Sequence, residues 1–129
     1  ELRALNPELP SSATFVPHLV PMTRGILTTC YAPLKDSNLL KKELQQLYRD
    51  FYKNAPFVHI ADNPPQTKYT TGTNFCIIYP TIDLRTNRVI VISCLDNLIK
   101  GGAGQAVQNM NLMFDLPQPT GLETSAVYP

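Results

Sequence analysis

The residues best suited to proton chemistry lie near the start of the chain. His18 is held between Pro17 and Pro21, and Arg24 follows six residues later, just before Gly25. Proline fixes its own backbone torsion, so this histidine sits on a stiff stretch. Imidazole titrates near neutral pH and suits general acid–base work. A guanidinium at position 24 could grip a carboxylate or a phosphate with two parallel hydrogen bonds. The competing reading is a surface histidine in a proline-rich turn beside a surface arginine, and spacing alone favours it. His59 stands among Phe57, Val58 and Ile60 and reads as structural.

Two other segments carry chemical potential. Glycines at 101, 102 and 104 open a helical stretch after Asp96-Asn97. Free N–H groups at a helix start can bind phosphate, but the spacing matches neither G-x-G-x-x-G nor G-x-x-x-x-G-K-[ST]. A tight strand-to-helix turn, with small residues letting the helix pack closely, explains the glycines as well. In Gly72-Thr73-Asn74-Phe75-Cys76, the glycine within a β-prone run suggests a bulge or a close backbone approach. The three cysteines, Cys30, Cys76 and Cys94, are widely spaced without a C-x-x-C pair. They make a poor disulfide framework and a poor zinc site. All three are expected to be small buried hydrophobes in a reducing compartment, and no metal site is expected.

The elements that must position these residues follow from periodicity. Leu40, Leu44, Leu47 and Phe51 recur at helical spacing with Lys41, Lys42, Gln45, Gln46 and Arg49 on the other faces. Asp36, Ser37 and Asn38 offer N-cap side chains, without a full capping box. Residues 26–31, 57–61 and the Thr- and Tyr-rich 67–73 read as strands. Residues 75–84 and 88–95, joined by Arg85-Thr86-Asn87, read as a hairpin. A last helix follows, with Ala103, Ala106, Val107, Met110 and Met113 or Phe114 on one face. Twelve prolines punctuate the segment ends. This order predicts an α+β fold, a mixed and largely antiparallel sheet with helices on one face.

Bulk properties narrow the function classes. With 129 residues, 43% hydrophobic and 16% charged, the chain fits one globular domain. Eleven basic against ten acidic residues give a net charge of +1 and no basic stripe, which argues against nucleic acid. The apolar runs are far too short to span a bilayer, and residues 1–10 do not read as a signal peptide. The chain starts at Glu1 and not at Met, which suggests that something precedes it.

Taken together, three motifs point to a family. PHLVPMTRGIL at 17–27, GTNFC at 72–76 and DNLIKGGAGQAVQNMNLM at 96–113 stand in this order. The combination resembles the C-terminal part of the N-acetyl-γ-glutamyl-phosphate reductases, over about residues 15–122. Gly102 and Ile77 depart from the residues frequent there. The resemblance implies a two-domain oxidoreductase of arginine biosynthesis, related to aspartate-semialdehyde and glyceraldehyde-phosphate dehydrogenases. Residues 1–100 would form part of a substrate-binding and dimerisation domain. Residues 101–129 would be a C-terminal helix and tail packed on an N-terminal Rossmann domain that binds NADP and supplies the nucleophilic cysteine. None of Cys30, Cys76 or Cys94 lies in the family's NPGCY-type motif, so this part alone is expected to be inactive.

By the same resemblance, His18 matches the catalytic histidine and Arg24 a substrate-anion anchor. Asn97 matches the residue that holds the nicotinamide carboxamide, and Lys100, Gly101 and Gly104 line the cofactor side of the last helix. The implied partners are an acyl phosphate or semialdehyde substrate and a second copy of the chain, in a cytoplasmic setting or a plant plastid. Two alternatives stand beside this: an aspartate-semialdehyde dehydrogenase-like enzyme, which PHLVPMTRG argues against, and a non-catalytic scaffold of the same fold.

Overall fold

The computed structural model describes residues 13–126. Strands β1 (Ile26–Pro33), β2 (Val58–Ile60), β3 (Cys76–Asp83) and β4 (Arg88–Leu95) and helices α1 (Lys41–Phe51) and α2 (Gly104–Met113) form the frame. The sheet runs β1-β4-β3-β2, antiparallel except for the parallel β2–β3 pair. The α+β architecture with a mixed, largely antiparallel sheet is therefore observed as expected.

The register decides where the loops meet. Ile26 pairs with Leu95, which pairs on its other side with Cys76, and at the opposite end Pro33, Arg88 and Asp83 align likewise. Three strands therefore end flush. The residues just before β1, just after β4 and just before β3 are delivered to one edge of the sheet, and these are the segments singled out by motif. At the far edge, β2 pairs only as far as Ile60 with Ile78. Pro80 comes two residues later, where a missing N–H costs nothing because no strand of the described residues lies on that side.

Helix α1 starts without the expected side-chain cap. Asp36 accepts from Asn38 N–H at 2.9 Å in the preceding turn instead, while Glu43 accepts from Leu40 N–H at 2.8 Å, half of a capping box. The buried stripe of α1 is Leu44 and Gln45. Leu40, Leu47 and Phe51 stay exposed, Phe51 at 77%. Lys41 ties the helix to the sheet through the Tyr79 hydroxyl at 3.0 Å.

Residues 67–73 are not a strand. They form a 3-10 turn over Thr67–Thr70. The threonine hydroxyls donate back to carbonyls: Thr70 to Thr67 and Thr73 to Thr70, both at 2.9 Å. Such local bonds compete with a ladder and favour turns. Thr70 and Thr73 are buried by it.

The cysteine expectation holds only for Cys94, which is fully buried. Cys76 is half-buried and Cys30 exposed. Cys30 lies on the edge strand β1, where all eight residues are exposed, so neither face of the sheet is covered there by the described residues. In β4, Val89 to Ser93 are all half-buried although the strand is central. The sheet is thus incompletely covered by the described elements.

Candidate active site at one edge of the sheet

Asp96 is the centre of the flush edge. Its carboxylate is fully buried and receives four N–H donors from the described residues. Arg24 Nε–H is shared between the two oxygens at 3.0 Å each. Gly72 N–H donates to Oδ2 at 2.7 Å, and Leu98 and Ile99 N–H donate to Oδ1 at 2.8 and 2.9 Å. One side chain thus joins the segments before β1, before β3 and after β4. Gly72 takes φ +78°, a backbone region costly for other residues, and there its N–H meets the carboxylate. The close-approach reading of Gly72 is the one realised.

Burial pushes the Asp96 carboxyl up, but the bonds from Gly72, Arg24, Ile99 and Leu98 outweigh it and leave the group at about 2. A depressed folded value stabilises the fold above the ordinary carboxylate range, and this is lost as pH falls through the folded value. The contribution is on the order of 2 kcal/mol at neutral pH. The urea midpoint of the protein should therefore fall between roughly pH 4 and pH 2. Asp96→Asn should have a lower midpoint at pH 7 and a flatter profile in that window.

Asn97 faces the same edge. Its Oδ1 accepts from Gly25 N–H at 2.7 Å. Its oxygen is engaged, which leaves the amide nitrogen as donor. Arg24 and Gly25 are thus tied to two successive residues, the side chain of one to Asp96 and the backbone of the other to Asn97.

The glycine segment is not a phosphate cradle. Gly101 and Ala103 N–H donate to the carbonyls five residues back, of Asp96 and Leu98, at 2.8 Å, and Gly104 N–H likewise bonds Ile99 O. These N–H groups are already used. Gly104 is buried, and Gly101 packs its Cα side toward Leu95 and Ile26. The structure thus gives the glycines the close-packing part that the turn reading assigned to them.

Beneath this turn runs a polar layer in which Lys100 was named from the sequence but Asn74, Gln108 and Asn111 were not. Asn74 donates to Gln108 Oε1 at 3.0 Å, and Lys100 Nζ donates to the same oxygen at 2.7 Å. Gln108 donates to Gln118 Oε1, and Asn111 to the Gln118 and Thr120 carbonyls. Burial lowers the Lys100 pKa, with Cys76 opposing, and its ammonium lies 5.5 Å over the Phe57 ring. The signal available in the sequence was the spacing of Gly104, Gln108 and Asn111, which share one helical face.

His18 is placed differently. It lies on an exposed segment, and its ring joins none of the bonds at the flush edge among the described residues. Nδ1 is 3.1 Å from the Val16 carbonyl. That bond requires the proton on Nδ1, so in the neutral ring Nε2 keeps a lone pair. His59 is exposed and rests on the Phe75 ring at 4.5 Å. Burial raises the thiol pKa of Cys76, against a weaker opposing effect of Lys100, and raises that of Cys94. Neither is an activated nucleophile. Among the described residues, no cluster of His, Cys, Asp and Glu could hold a metal, and no helix is long and apolar enough to cross a membrane.

The family profile described as semialdehyde dehydrogenase, dimerisation domain, matches residues 1–97. The chain belongs to this family. The N-acetyl-gamma-glutamyl-phosphate reductase of Dehalococcoides mccartyi is 56% identical over 116 residues, 90% of this chain and 34% of the relative. The reductase of the same name from Heliobacterium modesticaldum is 48% identical over 132 residues, covering 100% of this chain and 37% of the relative. That of Geobacter metallireducens is 52% identical over 122 residues, 93% and 35%. The chain thus spans about a third of the length of the curated relatives it matches.

Proposed function

We propose that this chain is the C-terminal, substrate-binding and dimerisation part of an NADPH-dependent N-acetyl-γ-glutamyl-phosphate reductase. Such an enzyme converts N-acetylglutamyl 5-phosphate to N-acetylglutamate 5-semialdehyde in arginine biosynthesis. The observation that carries this reading is the convergence of Arg24, Gly72, Asp96 and Asn97 at one sheet edge, in a chain about half identical to reductases of that name.

In this reading a cysteine thiolate elsewhere in the full-length enzyme displaces phosphate and holds the acyl group as a thioester. His18 removes the thiol proton through Nε2 and later protonates the oxygen of the reduced adduct. Arg24 anchors an anionic group of the substrate. Asn97 fits a nicotinamide carboxamide, since its nitrogen is the end left to donate. When bound, the dinucleotide supplies the hydride. Lys100, Gly101 and Gly104 support that side of the site, Gly104 by holding the start of α2 close.

Residues 101–129 pack on a Rossmann domain of the same enzyme in this reading. Support comes from α2, which buries Gly104, Gln108 and Asn111 against its own domain. It leaves Met113 at 80% and Phe114 at 70% exposed. Covering a side chain of this size contributes about 1.5–3 kcal/mol. The half-buried central strand and exposed β1 are in turn the surface offered to a second copy.

The test is phosphate-dependent reduction of NADP by N-acetylglutamate semialdehyde, the reaction run in reverse. The full-length enzyme should turn over and residues 1–129 should not. Turnover by residues 1–129 would return Cys30, Cys76 or Cys94 to consideration as nucleophile. A full-length protein active only on aspartate semialdehyde, or on neither, would end this assignment.

A further inference from the structure

Arginine usually meets a carboxylate with two nitrogens of its fork. Here Asp96 takes only Nε, shared between its two oxygens at 3.0 Å. Neither terminal nitrogen of Arg24 has a hydrogen bond among the described residues, and the side chain remains 34% exposed while that of Asp96 is fully buried. The inner part of the guanidinium is anchored, and among the described residues its outer nitrogens have no hydrogen-bond partner. Capping of the turn after β4 accounts for the bonds from Leu98 and Ile99, but not for a buried carboxylate reaching across to a residue 72 positions away.

We infer that Asp96 is a positioning residue for anion recognition: it clamps Arg24 through Nε alone, so that both terminal nitrogens face the substrate's phosphate or carboxylate. The inference rests on the reading of the site given above. Its chemistry is that of a pre-set fork. An unclamped arginine would lose side-chain freedom on binding each anion, whereas this one has already lost it in the folded protein. The same clamp sets Arg24 against Asn97, since Gly25 N–H is held by Asn97 and Arg24 by Asp96. The anion and the carboxamide would therefore be recognised by two groups fixed to each other.

The experiment uses the full-length enzyme in the reverse direction, where phosphate and the carboxylate-bearing semialdehyde are separate substrates. Asp96→Asn and Arg24→Lys should each raise one of these two KM values about tenfold or more, with the KM for NADP and kcat changing much less. Whichever KM responds identifies the anion as phosphate or carboxylate. Lysine keeps a charge for Asp96 but has no fork to share. In an Arg24→Ala background, adding Asp96→Asn should change that KM no further, because the effect passes through Arg24. A merely structural Asp96 would lower kcat or stability without this coupling. Unchanged KM values in Arg24→Lys, or additive effects in the double variant, overturn the inference. If Asp96→Asn does not fold, Asp96→Glu, which keeps the charge but displaces the clamp, replaces it in both the single and the double variant. A wild type without turnover removes the functional reading and this inference with it, a result distinct from an active wild type with unresponsive variants.

Discussion

Replacing His18 by asparagine in the full-length enzyme should lower kcat by roughly a hundred- to ten-thousandfold, the usual contribution of a positioned acid–base group. Asparagine can still donate to the Val16 carbonyl, as Nδ1 does at 3.1 Å. What it lacks is a second nitrogen able to take up and return a proton. Because the side chain is exposed and makes a single local bond among the described residues, its replacement should shift stability by no more than about 0.5 kcal/mol. The loss of rate can then be assigned to chemistry and not to folding. Two measurements check this: kcat in the reverse assay, and the rate of thiol alkylation by iodoacetamide, which should fall with it if imidazole activates the thiol. A loss of less than threefold would return His18 to the reading that spacing alone favoured, an exposed histidine in a proline-rich turn.

How far the site was legible follows from which interactions are local. The β3–β4 hairpin and β1 were readable because alternation and turn residues act over a few positions. Residues 67–73 were misread since threonine favours strands on average, while here its hydroxyls bond carbonyls three residues back. Leu47 and Phe51 follow helical spacing as well as Leu44 does, yet only Leu44 is buried, because the sheet beneath α1 reaches just part of that face. The motifs named Arg24 and Asn97. They did not show that Asp96 joins Arg24 to Gly72, since this depends on the flush register of three strands. Helix α2 reverses the usual rule. Met110, Leu112 and Met113 point outward while Gln108 and Asn111 point inward, so a hydrophobic pattern identified a face left uncovered by the described residues.

That inverted helix makes Gly104 the position of greatest structural effect. Alanine is ordinarily the better helix residue by about 1 kcal/mol. At Gly104, however, a Cβ would stand 2.5 Å from Asn74 Oδ1, 2.7 Å from Ile99 Cγ2 and 2.8 Å from the Ile99 carbonyl. Real carbon atoms do not approach so closely, and none of the three can yield freely. Asn74 is fully buried and its nitrogen is committed to Gln108. The Ile99 carbonyl accepts the Gly104 N–H in the turn that opens the helix. Relief requires α2 to move outward, which strains the contact of Lys100 and Asn74 with Gln108. Overpacking of this kind costs about 1–3 kcal/mol and loss of a buried hydrogen bond about 1 more, so the helix-propensity gain is outweighed. Gly104→Ala should therefore lower the denaturant midpoint of the full-length enzyme, and Gly104→Val should lower it further. A rise in the midpoint on Gly104→Ala would mean that propensity dominates and that the close approach of α2 to Asn74 is not rigid. In combination with Asn74→Ala, which removes the nearest obstacle, the penalty of Gly104→Ala should shrink. The non-additivity of that pair measures how much of the strain lies between these two side chains and how much lies against the Ile99 backbone.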